Sequence, residues 1–346
     1  LFAAASIVAL AASPAFAQEA EVTIDDTREE PVDTATADEG APANIVIGST
    51  GRVQLRGGQG PALTINSDND VNLGTGGRIE ILDTDADGDP INVDGAVGVQ
   101  IEDGVTADYT QSGVVSLLDD YQATPTEGTV TIDGQEFDDP EADGPFAEDR
   151  NKTGILIGEV DAEFNPVAGQ TGVTGDITLE TVSVTNVVGQ DSFGVRSVAD
   201  LSGDLLANGR VSVRGENSRA VSIEADVGGD VSVREINLIS PGGDAVAIEG
   251  DVGGGVRFAG SMDVSGYRVS SRSSELLMGQ FEEEEDLQYA GSAILIAGSI
   301  QDGVFFSSAA SINFASGGAG VEIAGEAGSP LTIGRTSLPD DFLAAS

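Results

Sequence analysis

The chain of 346 residues has no Cys and no His, and sets only 15 Lys and Arg against 59 Asp and Glu. Without His or Cys there is no Ser-His-Asp or Cys-His nucleophilic site, and the usual zinc ligands are missing. Without Cys there are no disulfides, so stability has to come from burial and backbone pairing. The shortage of cations excludes nucleic acid as a partner, because phosphate binding needs clustered Lys and Arg that release counterions. Aromatic residues make up only 5% of the chain, whereas Gly fills 47 positions, roughly twice the usual share. That composition favours tight turns and small-residue packing. No apolar run reaches the roughly 20 residues needed for a transmembrane helix.

What is present is acidic, with a formal net charge of -44 and a pI near 4.1. Two readings of that charge stand: a solvated, self-repelling surface, or cation binding and adaptation to salt. The apolar residues are mainly Val, Ile, Leu and Ala, and at 40% of the chain they argue against wholesale disorder.

Residues 1–17, LFAAASIVALAASPAFA, carry no charge, and the apolar stretch ends in Ala15-Phe16-Ala17 before Gln18. This reads as the apolar part of a signal peptide with its A-x-A cleavage site. An initiator Met and a basic leader segment are missing, so the chain is expected to be a fragment lacking its first residues. Export through the inner-membrane machinery is expected. Residues 18–44 are acidic, contain Pro and Thr, and read as an extended linker.

From Ile45 onward a period of two appears, in stretches such as IVIGSTGRVQL, GILIGEV, DITLETVSV and AILIAGSI. These alternate apolar with polar or small residues and break at Gly, Asp or Asn, which indicates short strands with one buried face. The strands recur. AVSIEADVGGDVSV at 220–233 is followed by AVAIEGDVGGGVRF at 245–258. Val195 to Val221, Val221 to Val246 and Ile294 to Val321 are 26, 25 and 27 residues apart. The corner Asp226–Val231 returns at Asp251–Val256, and more loosely at Asp200–Leu205 and Ser299–Val304. Gly and Asp suit such corners because they tolerate positive φ.

Periods of this length mean stacked repeats, in which each repeat buries its apolar face against the next. The expectation is an all-β, right-handed parallel β-helix over residues 45–334, with turns about 4.8 Å apart. A β-sandwich also uses short strands but does not require this self-similarity. Two acidic insertions, 119–153 and 266–291, lengthen the gaps from Val99 to Ile155 and from Val246 to Ile294. They are expected to leave the stack as loops, one of them forming a hairpin or a short helix.

The leader, the acidic linker, the Gly- and Asp-cornered repeats of the AVAIEGDVGGGVRF type and the interruption between GYRVSSR and SAILIAGSI together resemble the passenger regions of Gram-negative autotransporters. The resemblance covers nearly the whole chain. It implies a β-helical passenger, carried to the cell surface by a C-terminal barrel in the outer membrane. The stretch up to Ser346 shows no lipid-facing strands with aromatic girdles, so that barrel is expected as a partner outside this chain. Residues 335–346 read as a tail or a truncated next repeat.

The remaining chemistry is that of carboxylates. DTDADGDPINVD, Asp83 to Asp94, places Asp83, Asp85, Asp87 and Asp89 around Gly88 and Asp94 at the twelfth position. Alternate carboxylates at that spacing suit a calcium loop, although Pro90 and the missing flanking helices depart from the pattern. An acidic Asp-Gly turn without metal is the other reading. The adjacent pairs Asp119-Asp120 and Asp138-Asp139 raise polysaccharide cleavage by paired acids. Asn151 to Thr153, NKT, fits a glycosylation acceptor. The expected function is that of a non-enzymatic surface passenger with an adhesive role toward a surface or glycan ligand. A secreted calcium-dependent surface protein and a polysaccharide-active β-helix are the alternatives.

Overall fold

Val221 and Val246 are direct partners in a parallel ladder. The computed structural model describes residues 20–57, 60–119, 129–138, 147–266, 290–314 and 318–324. Residues 1–17 and 335–346, expected above to be a leader and a tail, and most of the expected insertion 266–291 lie outside the described residues. Among the described residues the fold is all-β, without a helix.

The ladder through Val221 extends in both directions. Val32, Leu63, Val99, Ile155, Val195, Val221, Val246, Ile294 and Val321 succeed one another in parallel register and form a nine-stranded sheet. The spacings read from the sequence therefore mark true structural equivalents, including the two long gaps.

A second sheet, of sixteen strands, contains two further columns. One begins at Glu21–Ile24 and passes through Asn44–Ile47, Val71–Leu73, Tyr109–Gln111 and Ile177–Leu179. The other begins at Thr27–Arg28 and passes through Arg52–Arg56, Arg78–Leu82, Val114–Leu117 and Val184–Val188. The long strands Leu205–Arg214 and Val231–Ile239 run through both columns and join them. Each repeat visits the three columns in turn, then returns to the first one level further along. This arrangement is consistent with a β-solenoid.

The interior follows from the alternation. Ile45 and Ile47, Ile79 and Ile81, Val211 and Val213, and Val221 and Ile223 are all fully buried, in one continuous apolar core. Just before the third-column residues named above sits a line of small residues, Ala62, Gly98, Gly154, Gly194, Ala220, Ala245 and Ala293. A Cβ on Gly154 would lie 2.5 Å from the Gly194 carbonyl oxygen and 2.6 Å from a Thr185 methyl. Small residues here leave the room that the branched side chains of the second column fill.

Three expectations need correction. Residues 18–44 are not an extended linker, because strands at Glu21–Ile24, Thr27–Arg28 and Val32–Asp33 pair in parallel with the next repeat. Val22, Ile24 and Val32 hold that level in place; the dense acids between them disguised the alternation. The first insertion is shorter than 119–153. Ala147 and Lys152 are already fully buried, and Thr153–Ile157 is a third-column strand. Within the excursion, Thr129–Ile132 and Gln135–Asp138 form an antiparallel hairpin, turned by Asp133 and Gly134, both at positive φ.

The third correction concerns the corner glycines. Gly228, Gly229, Gly253 and Gly254 are not among the positive-φ residues. They are required because the levels stack closely: a Cβ on Gly253 would lie 2.5 Å from the Gly228 carbonyl oxygen, and one on Gly228 2.7 Å from that of Ser202.

Candidate functional site

The acids are organised by the stacking. Asn44 Oδ1 accepts the Asp70 N–H, Asp70 Oδ1 that of Asp108, and Asp108 Oδ1 that of Asp176, at 2.8 to 2.9 Å. The line continues as Asp176 Oδ1 accepts from Asp204, Asp204 Oδ1 from Asp230 and Asp230 Oδ1 from Gly255, at 2.7 to 2.9 Å. One side chain per level thus satisfies the backbone N–H of the level above. A second line joins Asp200 to Asp226, Asp226 to Asp251 and Asp251 to Ser299. A third is made of buried serines: Ser192, Ser218 and Ser240 accept from the N–H groups of Lys152, Ser192 and Ser218.

Stacked carboxylates at this spacing repel one another. Burial, reinforced by the charges of Asp176 and Asp230, pushes the Asp204 carboxyl up, against the opposing pull of the Asp230 N–H. Asp103 goes the other way: burial raises it, but N–H donors from Thr171 and Gly172 outweigh that and hold it below the usual carboxylate range. The arginines answer some of this charge across levels. Arg196 makes a two-pronged pair with Glu224 at 2.7 and 3.0 Å and lies 4.4 Å over the Phe193 ring. Arg219 faces Asp244 and Glu249, and Arg52 and Arg78 share Glu80.

The Asp83–Asp94 segment folds as a turn stapled by one carboxylate. Asp85 Oδ1 accepts the N–H groups of Asp87 and Asp89 at 2.8 and 3.0 Å, and Thr84 bridges Pro90. These donors hold the Asp85 carboxyl down, chiefly Asp89 and then Asp87. Asp94 turns elsewhere and accepts the Arg150 N–H at 2.8 Å. The same turn is built again from different letters: Asp161 Oδ1 accepts from Glu163 and Asn165, and Val160 bridges Pro166. The shared requirement is Asp at the first position and Pro at the sixth. Asp83, Asp85, Asp87, Asp89 and Asp94 are not gathered around one point, and among the described residues no group of three or more acids is placed to hold a metal ion.

Each of the two acid pairs has one member among the described residues. Asp138 lies in the hairpin, Asp120 and Asp139 fall outside the described residues, and Asp119 is turned into the protein. The NKT segment is not a surface loop either, because Lys152 and Thr153 are buried in the wall.

Asp119 leads to a cluster that sequence reasoning missed. Lys152 is the only lysine in the chain, and its side chain is 0% exposed. Its Nζ donates to the Leu118 carbonyl oxygen at 2.7 Å and lies 3.2 Å from Asp119 Oδ2 and 3.6 Å from Asp149 Oδ2. Asp119 Oδ2 also accepts the Asp149 N–H at 2.9 Å. Asp149 is held in turn by the Asn92 side chain and the Val93 N–H, both at 3.2 Å. Desolvation pushes the Lys152 amine down and the Asp119 carboxyl up, although their mutual attraction opposes both shifts. The cluster sits where the first insertion leaves the stack and where it returns.

The chain matches no protein-family model, no curated protein and no solved structure.

Proposed function

We propose that the chain is a right-handed parallel β-helix that serves as the exported, non-enzymatic surface passenger of an autotransporter, with an adhesive role. The observation that carries this reading is the use of the acids. Asp70, Asp108, Asp176, Asp204 and Asp230, and Asp200, Asp226 and Asp251, are engaged in level-to-level hydrogen bonds, as expected of a stalk whose function is its extent. Right-handedness follows from the strong preference of parallel crossover connections for that hand. The leader at 1–17 supports export, and a cysteine-free chain suits passage through an outer-membrane pore while unfolded.

The test is display. The chain, fused ahead of an autotransporter barrel in a Gram-negative host, is expected to be removed from intact cells by added protease and to increase their attachment to surfaces or glycan arrays. A chain that stays protected inside the outer membrane would contradict the passenger reading. A displayed chain that leaves attachment unchanged would contradict the adhesive role.

A further inference from the structure

We propose that Lys152 and Asp119 join in an intramolecular amide bond, with Asp149 as proton carrier, closing the first insertion covalently at its root. The amine and the acid are already in contact, at 3.2 Å, and both are shielded from water, with side-chain exposures of 0% and 3%. A reaction between them meets no competing solvent and needs no diffusion, which is the largest advantage a fixed geometry can offer.

The residues around the pair have the roles the condensation requires. Proton transfer from the ammonium to Asp119 gives the neutral amine and the neutral acid, which desolvation favours in both cases. The Nζ lone pair then attacks Cγ of Asp119, and the Nζ–Cγ bond forms. Asp119 Oδ2, the oxygen beside Nζ, takes the ammonium proton and becomes the departing hydroxyl, and the Asp149 N–H bonded to it holds the carboxyl group in place for the attack. The Asp149 carboxylate, 3.6 Å from Nζ and fixed by Asn92 and Val93, takes a proton from the attacking nitrogen and passes it to the departing hydroxyl. The Cγ–OH bond breaks and one water leaves. No oxidant, reductant or cofactor is needed. The remaining amide N–H keeps its bond to the Leu118 carbonyl oxygen.

Residue choice supports the same conclusion. Every other cation in the chain is an arginine, including those paired with Glu80, Glu224, Glu235 and Glu249. Arginine is the better partner for a stable ion pair, whereas lysine can lose its proton when buried and act as a nucleophile. The single lysine stands where its ammonium is wholly buried beside two carboxylates. As an ion pair this arrangement carries a heavy desolvation cost. As an amide it removes one charge of each sign.

The consequence is a closed loop. Residues 119 and 152 bracket the excursion that contains the hairpin, so the bond would keep the two flanks together even after a cut within it. In a chain without disulfides this would be the one covalent staple.

The sole lysine gives a direct test. A lysine-specific endoprotease cuts the denatured, unmodified chain once, into two fragments, and cannot cut at an acylated Lys152. Purified folded protein is expected to resist that cut after denaturation and to weigh one water less than its sequence. Its digest with other proteases should contain a branched peptide joining residues 119 and 152. Asp149→Asn preserves the shape of the carboxylate but not its proton transfer, and is expected to restore both the full mass and the single cut. Wild-type protein of full mass that is split in two would overturn the proposal, whatever the variants do. Persistence of the cross-link in Asp149→Asn would overturn the role given to Asp149.

Discussion

Asp204 offers the sharpest test of how the acids support the fold, because two substitutions separate its hydrogen bond from its charge. Its Oδ1 accepts the Asp230 N–H at 2.7 Å, and its own N–H donates to Asp176. Asp204→Ala removes the acceptor and leaves the Asp230 N–H without its partner, at a cost of about 1–3 kcal/mol. Asp204→Asn keeps an oxygen in place and removes the charge. It forfeits the charge-assisted part of the bond but relieves repulsion from Asp176 and Asp230, about 1 kcal/mol from each at a separation near 5 Å in a water-like dielectric. The net change for Asn is within about 1 kcal/mol of zero. The pH dependence has a definite sign. The folded-state pKa of Asp204 is raised, so its contribution favours folding at low pH and is lost as pH rises through the folded value. Urea midpoints near neutrality, compared at constant m-value, should therefore order wild type and Asn together, with Ala clearly below. Equal midpoints for Ala and Asn would refute the claim that the level-to-level bond stabilises the stack.

Other predictions follow from the same geometry. Gly154→Val is expected to destabilise the protein by at least about 2 kcal/mol by overpacking, visible in the same urea titration, because even a Cβ there meets the Gly194 carbonyl. Tyr109 is fully buried and its burial pushes the phenol far above its ordinary pKa; an alkaline absorbance titration should show one of the four tyrosines ionising only on unfolding. Raising salt to about 0.5 M should raise the melting temperature by screening the acidic surface. Asp83→Asn and Asp87→Asn should leave the response to calcium unaltered, as read from melting curves at matched ionic strength.

The repeat was legible at the level of single residues, because a period near 25 depends on which side chains face inward, and that pattern survives two long insertions. Val99 with Ile155 and Val246 with Ile294 are true partners despite the chain between them. The first level escaped because acids between Val22, Ile24 and Val32 made the segment read as a linker. The corner glycines were found for the wrong reason, since composition does not distinguish a need for positive φ from a need for close approach. The same ambiguity affected Asp83 to Asp94. Spacing records where carboxylates occur along the chain but not whether they turn toward a cation or toward backbone N–H groups, as Asp85 and Asp94 do. The Lys152 cluster joins residues far apart in sequence, and its one local signal was that the chain has a single lysine.

The chain stacks level upon level along one axis. The absence of native cysteine allows it to be measured by spin-label distances between introduced pairs. Arg52 and Arg210 are four levels apart in the second column, and Arg52 and Ser311 are seven apart. Both distances scale with the strand spacing, giving about 19 Å and about 34 Å between backbone positions. Label distances that increase in this proportion support the stack. Comparable distances for the two pairs, as a folded-back sandwich would give, would contradict it.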